Sequence, residues 1–357
     1  MKLGFGLYRH QLNDDHFRFA RQCGASHLVI HMVDYFRSSR LNLCVDQPLG
    51  DDSGWGLAGD PDQLWSYDEL CAIRDAAAAH GLTIQAVENF DPAHWHDVLL
   101  DGPKKAEQLE KIKTLVRTVG KVGIPVIAYN FSLAGVSGRV KGPHGRGGAE
   151  VVGMEGPYDK PIPNGMIWNM VYDRDAAPGE LAPITTEELW RRHGEFLDAI
   201  VPVAEEAGVI LAAHPDDPPT PTVRNQPRLV NQPGLYQKLI DRKPSRSNAL
   251  EFCLGTLAEM TDGDIYEAVE SYSSQHKIAY IHFRNVRGKA PHYWETFIDE
   301  GDIDMLRVLR ILRKNGYDGV LIPDHAPAMT CSAPWYAGMA YACGWMTAAI
   351  HSLDANG

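Results

Sequence analysis

Leu211-Ala-Ala-His-Pro-Asp-Asp-Pro-Pro219 is the stretch on which the fold is decided. It opens as a short apolar run suited to a buried strand and breaks off at an imidazole, two carboxylates and three prolines. A strand ending this way delivers His214, Asp216 and Asp217 to one rim of a sheet. The prolines then bar further strand or helix and hold the loop stiff. What matters next is whether other strands end in matching groups.

Working outward, short apolar runs at 3–8, 26–32, 82–88, 123–131, 209–213, 249–253, 278–283 and 319–322 read as eight strands. Helical spacing between them predicts helices over 67–80, 103–122, 187–207, 234–241, 262–275, 302–314 and about 335–352, with an earlier one capped by Asn13 or Asp14 and ended by Gly24. Strands alternating with helices predict a parallel sheet, and eight such units predict a closed (β/α)8 TIM barrel, which typically takes about 250 residues. The 357 residues exceed that, and the surplus falls in two Gly- and Pro-rich insertions, 37–66 after the second strand and 132–185 after the fourth. We expect one domain over 1–357, with the second insertion serving as a lid or a dimer contact. An open doubly wound sheet would want a Gly-rich phosphate turn after an early strand, and the chain has none.

Composition narrows the function. A net charge of −12 argues against nucleic acid or an anionic membrane as partner. The six cysteines are scattered without a CxxC pair, as in reduced cytosolic proteins. No apolar run approaches a membrane span, and the start of the chain carries Asp14 and Asp15 where a signal peptide would be apolar. The expectation is a cytoplasmic enzyme acting on a small molecule.

In a barrel, residues just past the C-terminal ends of the strands share one pocket. His214, Cys253, His282 and Asp324 close strands five to eight at intervals of 39, 29 and 42 residues. Alone, each has an ordinary reading: a hydrogen-bonded His, a small buried Cys, a helix-capping Asp. Together they form a first shell for a divalent transition ion, because the barrel period independently predicts their convergence. His325, beside Asp324, is a candidate acid/base. Arg284 and Asn285, after His282, are candidates for a substrate carboxylate or polyol, and Glu88, Tyr129 and Asn130 for substrate hydroxyls.

Ala213-His-Pro-Asp-Asp-Pro-Pro219, Cys253-Leu-Gly255, His282-Phe-Arg-Asn-Val286, Asp304-Met305 and Pro323-Asp-His325 resemble the mannonate dehydratase family in the same order, with weaker echoes at Val87-Glu88 and Tyr129-Asn-Phe131. The resemblance implies a metal-dependent barrel that dehydrates D-mannonate to 2-keto-3-deoxy-D-gluconate in hexuronate catabolism. It places the metal on His214, Cys253, His282 and Asp324, a catalytic His at His325 and a catalytic Tyr at Tyr336, or Tyr341. It also implies Mn²⁺, whereas ligand softness alone favours Zn²⁺, and Fe²⁺ or Co²⁺ would also suit these donors. With Asp324 on the ion, Asp216 and Asp217 are left to orient His214 or meet substrate hydroxyls.

The chain departs from the family pattern at Ala326-Pro327 and at Ser132-Leu-Ala-Gly135, both near the expected substrate. The rival readings are a metal-dependent sugar isomerase or epimerase and an idle barrel that only binds a sugar acid.

Overall fold

The computed structural model describes residues 1–37, 47–49 and 54–355. Cys44 and the parts of the 37–66 insertion at 38–46 and 50–53 lie outside the described residues.

Eight strands close into a barrel: β1 (Lys2–Leu7), β2 (His27–His31), β3 (Thr83–Glu88), β4 (Val126–Tyr129), β5 (Ile210–Ala213), β6 (Asn248–Cys253), β7 (Ile278–His282) and β8 (Val320–Ile322). Each is parallel to its sequence neighbours, and β8 returns to β1. The (β/α)8 expectation therefore holds. Strand alternation sends one face inward, where Val29, Ala86, Val126, Ala128, Ala212, Tyr280, Val320 and Ile322 pack as an inner cluster. Mostly small residues there leave room for the Tyr280 ring. Gly4 is required for the same reason, since a Cβ at that position would meet the Val320 side chain at 2.5 Å.

The helices follow their caps. α1 (Asp14–Gln22) starts on the Asn13 side chain, α2 (Tyr67–Ala79) on Ser66 and α3 (Pro92–Leu100) on Asp91, with Pro92 at its first turn. α4 (Lys105–Val122) and α5 (Thr186–Ala207) turn their apolar stripes to the barrel and end on left-handed Gly123 and Gly208. After them come α6 (Leu235–Arg242), α7 (Leu254–Glu259), α8 (Ile265–Ser274), α9 (Met305–Lys314) and α10 (Pro334–Ala355). α3 and α7 have no counterpart in the sequence reading. Both are short, and α3 is buried almost throughout, so neither shows an amphipathic period.

Part of the 132–185 insertion is more ordered than its composition suggests. Its hairpin, Val140–Gly145 and Ala149–Glu155, joins Asn285–Lys289 and His292–Thr296 from the loop after β7 in a four-stranded antiparallel sheet. Two loops from the C-terminal rim are thus sewn together, and that sheet brings further side chains to the rim. Among the described residues, no helix is long and apolar enough to cross a membrane.

Candidate active site

The ladder carries the four predicted strand-end groups to one place. Cys253 and His282 are the last residues of β6 and β7 and pair in register. His214 extends β5 by one residue, its amide donating to the Tyr129 carbonyl at 2.9 Å. His214, Cys253 and His282 offer ligand atoms that all lie within 4.8 Å of one another. Asp324 joins from β8, with Oδ2 3.2 Å from His282 Nδ1. Its φ of 60° is a left-handed backbone that Asp tolerates better than most residues.

The donor set suits a divalent transition ion: one thiol, two imidazoles and a carboxylate. His214 Nδ1 sits 2.6 Å from the Pro215 carbonyl, a contact that needs the proton on Nδ1 and leaves Nε2 as the lone-pair nitrogen. Both ring nitrogens of His282 are buried without completing a hydrogen bond, as expected of a ring placed to bind something else.

Electrostatics favour the thiolate among these donors. Burial alone would raise the Cys253 thiol, but Arg284 and the imidazoles of His214 and His282 hold it well below its ordinary value, favouring thiolate. Burial opposes charge on His214, yet Glu251 and Cys253 outweigh it and raise the pKa to about 9. For Glu88, burial is likewise overcome by His31 and His282, and its pKa falls to about 2.

The cluster opens onto a pocket at the C-terminal rim. His214, His282, Asp324, His325, Glu88 and Asn130 line it, all sequence-derived candidates. His325 is tethered through Nδ1, 3.2 Å from Glu295 Oε2, with Nε2 3.5 Å from Asp324 Oδ1. Asn130 is oriented by Trp168, whose Nε1 donates to its Oδ1 at 3.2 Å.

Six candidates lie elsewhere. Arg284 is buried and committed to protein carboxylates: Nη1 to Glu259 at 2.8 Å, Nη2 to Asp217 at 2.8 Å and Nε to Asp324 at 3.2 Å. It organises the carboxylates and is not among the cavity-lining residues, so it does not stand where a contact to a substrate carboxylate was expected of it. Gly255 makes room for it, since a Cβ there would collide with the guanidinium. Asn285 bonds the carbonyls of Ile298 and Ile303 at 3.0 Å each and the amides of Val286 and Ile303, which closes a loop. Asp216 accepts the amides of Leu229 and Val230 at 2.8 Å and pins the following loop. Tyr336 is 39% exposed on α10, its hydroxyl 3.2 Å from His16 Nε2, and Tyr341 bonds Asp299 at 2.7 Å. Neither tyrosine lines the cavity. The weaker candidate Tyr129 turns outward to His193, 3.0 Å away.

Four contributors were absent from the sequence reading. Arg139, just before the hairpin, lines the cavity and reaches Glu295 at 2.9 Å and Asp217 at 3.4 Å. Glu295 comes from the strand His292–Thr296, and an insertion has no period that would mark either. His31, at the end of β2, also lines the cavity, with Nε2 3.8 Å from Glu88 Oε2 and Nδ1 3.2 Å from the Tyr35 hydroxyl. Glu251, fully buried under the cluster, was legible in principle: two residues before Cys253 on one strand, it must face the same way.

Fold and site together define a (β/α)8-barrel enzyme with a metal-type ligand cluster at its C-terminal rim. Comparison with known proteins gives the family: residues 33–138 and 179–350 match the model of D-mannonate dehydratase (UxuA), and the chain belongs to that family. That makes it a hydro-lyase. It is similar to a mannonate dehydratase of Streptococcus pneumoniae (strain 70585), 29% identical over 279 residues, covering 74% of this chain and 75% of the relative. The crystal structure of mannonate dehydratase from Streptococcus suis serotype 2 superposes with a TM-score of 0.74 at 23% identity, covering 99% of this chain and 93% of that one. A xylose isomerase domain protein from Planctomyces limnophilus shares the fold at a TM-score of 0.57 and 12% identity, covering 99% and 98%.

Proposed function

We propose that the chain removes water from D-mannonate to give 2-keto-3-deoxy-D-gluconate at the rim cavity, with Mn²⁺ held by His214, Cys253, His282 and Asp324. The observation that carries this is the approach of the three ligand atoms within 4.8 Å, with Asp324 against His282, in a chain of the D-mannonate dehydratase family.

The C2 proton of a sugar acid is poorly acidic beside an ionised carboxylate. A divalent ion at the cluster supplies positive charge where negative charge develops as that proton leaves. The chain's own groups do the rest. One group takes the proton from C2 and another protonates the C3 hydroxyl, which departs as water. The C2–C3 enol then becomes the 2-keto acid by gaining a proton at C3. His325 and His31 both line the cavity and serve these proton transfers. Burial lowers the His31 pKa despite Glu88 and Asp324, so its imidazole is neutral and able to accept a proton. Arg139, the guanidinium that lines the cavity, meets the substrate carboxylate in place of Arg284.

Incubation of metal-loaded protein with hexonates and pentonates, followed by colour detection of 2-keto-3-deoxy acids, tests this. Colour with D-mannonate is expected. Isomerised sugar acid without water loss would mean an isomerase or epimerase, and thermal stabilisation without turnover would mean a binding barrel. Metal analysis of protein purified without added metal checks the ion.

A further inference from the structure

β6 and β7 lie side by side with Cys253 opposite His282 and Glu251 opposite Tyr280. Residues two apart on a strand share a face, so Glu251 and Tyr280 form a layer directly beneath the Cys253–His282 pair. Glu251 has no exposed surface. Its Oε1 accepts the Tyr280 hydroxyl at 2.7 Å and stands 2.9 Å from His282 Nε2, while its Oε2 has no hydrogen-bond partner. Glu88 approaches the same groups less closely, 3.2 Å from the Tyr280 hydroxyl and 3.4 Å from His282 Nε2.

A buried carboxylate with an unmatched oxygen is costly, and the neighbouring layer of Ala86, Ala128 and Ala212 shows that apolar filling suits this interior. Packing therefore does not explain Glu251. The imidazole above it does. His282 Nδ1 faces Asp324 and Nε2 faces Glu251, on opposite sides of one ring. An acceptor oxygen therefore stands beside each nitrogen, the nearer one being that of Glu251, although neither contact has full hydrogen-bond geometry in this structure.

We propose that Glu251 is a positioning residue for the metal: it accepts a hydrogen bond from the Nε2–H of His282 and so holds the tautomer whose Nδ1 lone pair lies beside Asp324. An acceptor of this kind also makes the imidazole a better donor to an ion. Tyr280 holds Glu251 in turn. The inference rests on the metal-holding reading above, and the test separates the two.

Mn²⁺ binding to metal-stripped protein is measured by calorimetry for wild type and Glu251→Gln, with circular dichroism to check the fold. Wild type is expected to bind one ion per chain, and the variant one ion about 10–100-fold more weakly. Equal affinities overturn this role while leaving the metal site standing. A wild type that binds no Mn²⁺ overturns both. Two ions in wild type and one in the variant make Glu251 a ligand and overturn positioning. Should the variant not fold, histidine ring ¹⁵N spectra of Zn²⁺-loaded wild type decide. A protonated Nε2 with a ligated Nδ1 on His282 is expected, and the reverse contradicts the proposal.

Discussion

His325 and Tyr336 arrived from the sequence as a pair, and the structure separates them. His325 borders the cavity with its ring tethered to Glu295, while the Tyr336 hydroxyl lies on the surface against His16. We therefore expect His325→Asn to lower kcat by about 10²–10⁴-fold, the usual range for losing a positioned acid/base, with bound metal unchanged. Tyr336→Phe should leave kcat within about twofold. Steady-state kinetics with metal analysis checks both, and a large loss in Tyr336→Phe would return that tyrosine to the chemistry. The difference in legibility has a physical cause. His214, Cys253, His282, Asp324 and His325 are fixed by strand ends, whose spacing follows the barrel period. Tyr336 was placed only by resemblance, across a segment where no such period applies. Arg284 shows a further limit: its position after β7 was readable, but not that Glu259, Asp217 and Asp324 would surround it.

Those carboxylates come from different elements, and their shared guanidinium joins them. Glu259 ends α7, Asp217 follows β5 and Asp324 follows β8. Removing this guanidinium would leave buried Glu259 without its ion-pair partner and weaken the pairing of Asp217 and Asp324, so Arg284→Met should cost about 3–5 kcal/mol of stability, read from urea unfolding. A loss under about 1 kcal/mol would mean that Arg139 already suffices as their counter-charge. α5 makes a separate prediction. His193 is fully buried there, and burial, with Arg242 adding to it, lowers its pKa from 6.5 to about 3. The folded chain therefore resists the proton that the unfolded chain takes up. His193's contribution is full above pH 6.5 and is lost as pH falls from there towards 3, by at most about 1.4 kcal/mol per unit. His193→Gln should flatten the stability profile between pH 7 and 5 relative to wild type. Parallel slopes would contradict the assignment. Strands and capped helices were legible because hydrophobic period and caps are local, whereas the four-stranded rim sheet pairs segments more than a hundred residues apart and leaves no local trace.

At the scale of the molecule, the barrel brings four strand ends to one point and the rim sheet adds Arg139 and Glu295 from outside the barrel period. The departures from the family pattern fall near this rim. Ala326 and Pro327 border a small cavity behind His325 and pack against Gly338, where a Cβ would stand 2.5 Å from the Pro327 carbonyl. A Gly338→Val substitution would push that segment, and with it the adjoining His325. We expect it to lower kcat more than it raises KM, measured with D-mannonate, because His325 acts in the transition state. The reverse split would place the segment at substrate binding.

Dehydration of a sugar acid across C2 and C3 can be read from proton NMR of D-mannonate with the Mn²⁺-loaded protein in D₂O, after the ion is chelated for observation. We expect loss of the C2 proton signal and growth of a 2-keto-3-deoxy acid carrying one solvent deuteron at C3, with Cys253→Ala inactive in parallel. Deuterium exchange at C2 with both hydroxyls retained, or an unchanged spectrum at saturating substrate, would contradict it.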